Sequence, residues 1–233
     1  MRILFLLSAL SAVGCEFQGI MGSGNLVTKD MPLQSFDKVD AGGVFHVDVT
    51  QGEPYSVSVT ADDNLWEYTD VHVENNTLHL GLKSGSYANT HVSAKVVLPH
   101  LAGVDVSGAS SATLHGIKDP KSDLKIQVSG ASKVDGDVIV QKVALDVDGA
   151  SNAGLKGHAD LLTIEASGAS HAELKDLAAG EVRVKASGAS GAKVNASATL
   201  DFDVSGASHL SYAGQPVVKS AQTSGASSVE SVK

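Results

Sequence analysis

The tetrapeptide Ser-Gly-Ala-Ser, once Asp-Gly-Ala-Ser, recurs seven times between residues 107 and 227, and no other feature constrains the fold as strongly. The copies start at Ser107, Ser129, Asp148, Ser167, Ser187, Ser205 and Ser224, at spacings of 22, 19, 19, 20, 18 and 19 residues. A period near 19 residues holds two or three short strands with their turns, but not a βαβ crossover, which needs roughly 30 residues. Repetition at this period indicates a solenoid.

Side chains on a strand alternate between faces, so the copies are aligned on their glycine and counted by twos. Positions minus four and minus two are occupied by Val104/Val106, Ile126/Val128, Leu145/Val147, Ile164/Ala166, Val184/Ala186 and Phe202/Val204. Position minus six adds Leu124, Val143, Leu162, Val182 and Leu200. Beyond the glycine, the same parity holds Ala112/Leu114, Ala153/Leu155, Ala172/Leu174, Ala192/Val194 and Leu210/Tyr212. Position minus three, of opposite parity, reads Asp105, Gln127, Asp146, Glu165, Lys185 and Asp203, and is the expected solvent face. No helical i, i+3, i+4 stripe separates the tetrapeptides. The expected fold is therefore all-β, a parallel β-helix with repeats of about 19 residues, in which glycine takes a bend at each corner. An antiparallel sandwich is the competing architecture, but it needs no identical tetrapeptide in every period. The last serine of each copy, from Ser110 to Ser227, shares the apolar parity, which predicts a ladder of hydroxyls at an inner corner. Lys219, Ala221 and Thr223 make the final copy more polar, as a C-terminal cap requires.

The organisation reads as a domain over residues 35–233, with non-repeating strands over 35–103 and repeats over 104–233. In the first part, Val44, Val47 and Val49 lead to a turn at Gln51-Gly52-Glu53-Pro54, followed by Tyr55, Val57 and Val59. Asp62 to Tyr68 interrupts the alternation. Val71 and Val73, the turn Asn75-Asn76, and Leu78, Leu80 and Leu82 predict a hairpin. Val92 to Leu98 predicts another strand. Residues 15–34 are Gly-rich and weakly periodic, which suits a flexible tether.

Residues 1–14 have the pattern of a signal peptide: Met1-Arg2, an apolar run from Ile3, and Ala12-Val13-Gly14 before the only cysteine, Cys15. This resembles a lipoprotein lipobox, with Ala12 where leucine is more usual. It implies acylation of Cys15 with palmitate-type chains and membrane attachment through two or more of them. A single cysteine excludes an intrachain disulfide. The net charge of −9, with Arg183 the only arginine after Arg2, removes the electrostatic footprint for nucleic acid. A hydrophobic content of 42% in strict register is too high for a disordered Gly/Ser tract.

Several stretches together resemble the head GIN domain family, the auto-transporter adhesin heads of the bacterial envelope. They are Gly22-Ser23-Gly24-Asn25, Phe36-Asp37-Lys38-Val39, Val44 to Gly52, Ala61-Asp62-Asp63-Asn64-Leu65, Leu78-His79-Leu80, Val97-Leu98-Pro99 and the tetrapeptide series. The resemblance implies a right-handed, single-stranded parallel β-helix and a surface role. It carries over no catalytic residue and no cofactor.

The residues themselves point the same way. Ser-Gly-Ala-Ser is not the Gly-x-Ser-x-Gly elbow, and seven equal copies fit a structural corner. His72 and His79 lie in the expected hairpin at a spacing that matches no metal motif, so no metal site is expected. Asp201 and Asp203 share one outer face, as paired carboxylates of a glycosidase would, but a solvated acidic column has the same pattern. Arg183 and Lys185 form the one clustered basic pair of the repeats. Trp66, Tyr68 and Tyr87 are the candidate binding residues, able to stack on a sugar or anchor a partner, although Trp66 also suits a plug at the solenoid's end. Loops outside the period, at residues 116–122 and 214–217, are further places for binding. The function expected is a non-enzymatic envelope module, anchored in the outer membrane and contacting a glycan or an envelope protein. A structural spacer and a polysaccharide-active enzyme are the alternatives.

Overall fold

The computed structural model describes residues 19–232. Cys15, the signal peptide and residues 15–18 of the expected tether lie outside the described residues. The chain opens with β1 (Ile20–Met21) and β2 (Leu26–Met31), then β3 (Lys38–Ala41), β4 (His46–Gln51) and β5 (Ser56–Asp62). A 3-10 segment (Asp63–Tyr68) leads into the hairpin of β6 (Thr69–Glu74) and β7 (Thr77–Leu82), whose turn residues Asn75 and Asn76 both have positive φ. That geometry is the one a two-residue hairpin turn prefers. A short bridge, β8 (Tyr87–Ala88), precedes β9 (Val92–Leu98) and β10 (Gly103–Val106).

The repeats then form five long strands that bend part-way: β11 (Ser111–Val128), β12 (Lys133–Val147), β13 (Asn152–Ala166), β14 (His171–Ala186) and β15 (Gly191–Val204). The chain closes with β16 (His209–Ala213), β17 (Val217–Thr223) and β18 (Ser228–Ser231). Successive repeats pair in parallel, as Ile126↔Leu145↔Ile164↔Val184↔Phe202 illustrates. The β-solenoid read from the repeat is the fold, and the apolar parity is its core, with Leu124, Ile126, Val147, Leu162 and Leu174 all at or below 1% exposure. Many inward positions hold only alanine or valine, so opposite walls approach closely and each rung fills its own thin cross-section.

Every tetrapeptide is a corner. Gly108, Gly130, Gly149, Gly168, Gly188, Gly206 and Gly225 all have φ between 72° and 78°. The amide after each glycine donates to the glycine carbonyl one turn below, as in Ala150→Gly130 at 2.8 Å and Ala169→Gly149 at 2.7 Å. A Cβ on Gly168 would lie 2.6 Å from the Gly149 oxygen, so both conformation and stacking demand glycine there.

The corner serines Ser110, Ser132, Ser151, Ser170, Ser190 and Ser208 are buried, and their hydroxyls do form an inner column. The bonding is less uniform than a continuous hydroxyl ladder. Ser190 and Ser208 meet at 3.2 Å, and the Ser132 amide donates to the Ser151 hydroxyl at 3.3 Å. Ser132 Oγ and Ser170 Oγ have no partner.

Two features depart from the reading of the sequence. Residues 20–31 are not a tether: β2 pairs antiparallel with β5 from Leu26↔Asp62 to Met31↔Val57. The corner series also starts earlier, at Gly42-Gly43-Val44-Phe45, where Gly43 has φ 77° and its carbonyl accepts from Ala109 at 2.7 Å. Buried Phe45 occupies the place of the corner serine.

The first rungs are not stacked in chain order. β3 lies between β7 and β10, while β4 lies between β9 and β11. The rung built from β3 and β4 is thus first in sequence but second in space. Antiparallel strands β2, β5 and β6 close this end. Among the described residues, no helix is long and apolar enough to cross a membrane.

Candidate functional site

Constant register turns outward residues into straight columns. One column runs from His72 and His79 through Asp40, Asp105, Gln127, Asp146, Glu165 and Lys185 to Asp203 and Gln222. Its neighbour, on the same face, contains Glu74, Thr77, Lys38, Gly103, Lys125, Ala144, Thr163, Arg183, Asp201 and Ser220. Ten strands at about 4.8 Å make a polar face roughly 43 Å long. The solvent column expected from minus three is its centre.

Small residues in the second column leave shallow depressions between the longer side chains. One is lined by Glu165, Arg183, Lys185, Asp201, Phe202 and Asp203. Another, nearer the N-terminal end, is lined by Lys38, Asp40, His79, Asp105, Lys125 and Gln127. Like charges crowd parts of the column. Burial, followed by the charge of Asp40, raises the Asp105 carboxyl above the usual carboxylate range. Burial, then Glu165 and Asp148, does the same for Asp146. Both effects disfavour the charged form and make this face receptive to a cation or a hydrogen-bond donor. Asp201 stands beside Arg183 and Asp203 beside Lys185, so the two carboxylates neighbour the repeats' basic pair. Asp201 Oδ1 is buried without a hydrogen-bond partner.

The three candidate aromatics lie at the N-terminal end, where the structure separates their roles. Trp66 donates from Nε1 to the Val27 carbonyl at 3.3 Å, and Lys29 Nζ sits 4.1 Å from its ring centroid. That cation occupies a face a sugar would need. Tyr68 and Tyr87 meet edge to face at 6.0 Å, and the Tyr87 hydroxyl donates to the Lys83 carbonyl at 2.7 Å. Leu65, fully buried, fills the core at this end, while Trp66 packs only partly against it. Cys15 lies outside the described residues.

Sequence reasoning also left Asp62 without a role. It is fully buried, and its two carboxylate oxygens accept from the Gly24 amide at 2.7 Å and the His91 amide at 2.8 Å. Ser23 and Asn64 complete a clamp, the Ser23 amide donating to Asn64 Oδ1 at 3.0 Å and Asn64 Nδ2 to the Met21 carbonyl at 2.8 Å. Burial pushes the Asp62 carboxyl up, but the amides of His91 and Gly24, together with the His91 imidazole 3.5 Å away, outweigh it and hold the carboxyl below its ordinary value.

Residues 35–216 match the family model described as "Putative auto-transporter adhesin, head GIN domain". The chain belongs to this family. A crystal structure of a putative adhesin from Bacteroides fragilis is 26% identical with TM-score 0.85, covering 92% of this chain and all of that one. A putative adhesin from Parabacteroides merdae is 22% identical with TM-score 0.71, covering 92% and 99%. A putative lipid binding protein from Parabacteroides distasonis is 20% identical with TM-score 0.72 over the same shares, and shows the fold alone. No curated protein matches the chain.

In this GIN domain, the Gly-Ser-Gly-Asn clamp precedes the residues that match the family model, yet it is bonded to the body by side chains rather than by strand pairing alone. A signal for it was present in the sequence: Gly22-Ser23-Gly24-Asn25 and Asp62-Asp63-Asn64 are both rich in groups that cap amides. Nothing in either segment says that they meet across about 40 residues.

Proposed function

We propose that the protein is a lipid-anchored component of the outer membrane whose GIN domain binds a glycan or an envelope protein along its polar face, without catalysing a reaction. The observation that carries this reading is the continuous two-column face across ten strands, which offers repeated hydrogen-bonding groups to an extended ligand. Membership of an adhesin-head family supports an adhesion-like role. The lipobox-like Ala12-Val13-Gly14-Cys15 supports the anchor.

Screening the full chain in detergent against glycans and envelope proteins tests the face. Exchanging Arg183 and Lys185 for glutamate should weaken the bound ligand by at least about tenfold, equivalent to about 1.4 kcal/mol. Binding that ignores both charges would place the interaction elsewhere, and no ligand at all would favour the spacer. Turnover of a polysaccharide would overturn the non-enzymatic reading. For the anchor, Cys15→Ala should abolish incorporation of labelled palmitate and release the chain from membranes; a variant that is still acylated would sink that assignment.

A further inference from the structure

The N-terminal end of the polar face brings two histidines and a glutamate within reach of one another. His72 on β6 and His79 on β7 are directly opposed across the hairpin, and their rings stack with centroids 5.0 Å apart and planes 20° apart. Glu74 follows two residues after His72, on the same side of the strand. One ligand-capable atom from each of His72, Glu74 and His79 lies within 4.8 Å of the others.

The surroundings of the rings decide what they offer. His79 Nδ1 is 2.8 Å from Asp40 Oδ2, and His72 Nδ1 is 3.0 Å from Asp70 Oδ1. An ionised carboxylate only accepts, so each ring donates its Nδ1 proton and keeps a lone pair on Nε2. An outer carboxylate that orients an imidazole in this way is the usual support of a metal-ligating histidine. The turn residues Asn75 and Asn76, locked at positive φ, fix the register that opposes the rings.

We infer that His72, His79 and Glu74 form a binding site for a divalent transition-metal ion of the zinc type. Two imidazoles and one carboxylate suit zinc, whereas calcium and magnesium favour sets made of oxygen alone. Zinc bound at about 2.0–2.2 Å needs ligand atoms about 3.4 Å apart, so atoms that lie within 4.8 Å of one another must close by up to about 1.4 Å. Glu74 is exposed and free to turn, and His72, also exposed, can adjust while keeping its bond to Asp70. Three protein ligands leave the fourth position of a tetrahedral ion open to water or to a donor on a second molecule.

Titrating zinc chloride into the full chain, purified without a polyhistidine tag, tests the site by calorimetry. The expected result is one zinc per chain, with calcium giving no saturable binding. His72→Ala and His79→Ala should each weaken zinc binding by more than about 100-fold, and Asp40→Asn, which only loosens the orientation of His79, by about 10-fold. His158→Ala, which removes a histidine paired with Asp160 away from the cluster, should leave zinc affinity unchanged. Zinc should raise the thermal midpoint of the wild type and of His158→Ala, but not of His72→Ala or His79→Ala, while all four midpoints agree without metal. Wild-type affinity retained by both histidine variants, or no saturable zinc binding by the wild type, would overturn the assignment.

Discussion

The repeats over 104–233 and the non-repeating region over 35–103 build the same parallel sheet by different means. In the repeats, each rung is held by an identical corner: a glycine with positive φ, an amide-to-carbonyl bond to the corner below, and inward alanines, valines and leucines. Among the described residues before 104, only one corner, at Gly43, follows that plan. Chain order and spatial order diverge there, and the end is closed by antiparallel strands and side-chain bonds to Asp62, Asn64 and Gln51. Gln51 ties adjacent rungs by donating to the Pro99 carbonyl at 2.9 Å and accepting from the Lys118 amide at 2.6 Å. A repeat can propagate through backbone geometry alone, whereas a terminus needs specific side chains to satisfy the edge it exposes.

The comparison breaks most severely at a corner. Gly168→Val combines a β-branched residue at φ 72° with a Cβ 2.6 Å from a backbone oxygen. Strain of this kind costs about 1–3 kcal/mol before the clash is counted, so the total loss should exceed about 3 kcal/mol. Because neighbouring turns stack on this corner, urea denaturation should show the whole repeat region losing stability together. A loss below about 1 kcal/mol would mean that the stacked glycines are not what holds the rungs.

Asp62 tests the other region. Asp62→Ala leaves the part-buried amides of Gly24 and His91 without their acceptor, at roughly 1 kcal/mol for each lost bond. Amide exchange should show the loss concentrated in residues 20–31 and 89–91. The folded-state carboxyl is held below its ordinary value, so its stabilising effect is complete above the unfolded value of about 3.9 and is lost as pH falls through the lower folded value. The stability gap between wild type and Asp62→Asn should therefore shrink in acid below about pH 4. A gap that persists undiminished far into acid would show that packing, not the ionised carboxylate, holds the clamp.

What could be read from the sequence follows the same division. Parity around the tetrapeptide glycine placed Asp105, Gln127, Asp146, Glu165, Lys185 and Asp203 in one outward column because an in-register parallel stack copies each position onto the next. The hairpin at Asn75-Asn76 was equally legible, since its turn chemistry is local. The corner at Gly42-Gly43-Val44-Phe45 escaped because, of the four residues, only Gly43 matches the repeated motif. The insertion of β3 between β7 and β10 escaped because no local preference encodes which distant strands pair. The juxtaposition of His72 and His79 escaped for a related reason: they are seven residues apart, a spacing that gains meaning only when the hairpin register sets them side by side.

The finest distinction lies among residues that look equivalent in every copy. Ser110, nearest the irregular end, accepts the Phe45 amide at 3.1 Å, while the hydroxyl of Ser170, deep in the regular stack, has no partner. Ser110→Ala should cost about 1–3 kcal/mol by orphaning a buried amide. Ser170→Ala removes a hydroxyl that contributes no bond, so its effect should be near zero or slightly stabilising. Measuring both in one denaturant series separates two accounts of the repeated serine. If the costs are equal, the serine acts through the small volume common to all corners. If only Ser110→Ala is costly, a corner serine matters where its hydroxyl accepts a buried amide, as Ser110 does from Phe45, and alanine is tolerated where the hydroxyl is unbonded, as at Ser170, because the backbone bonds between glycines already fix the turn.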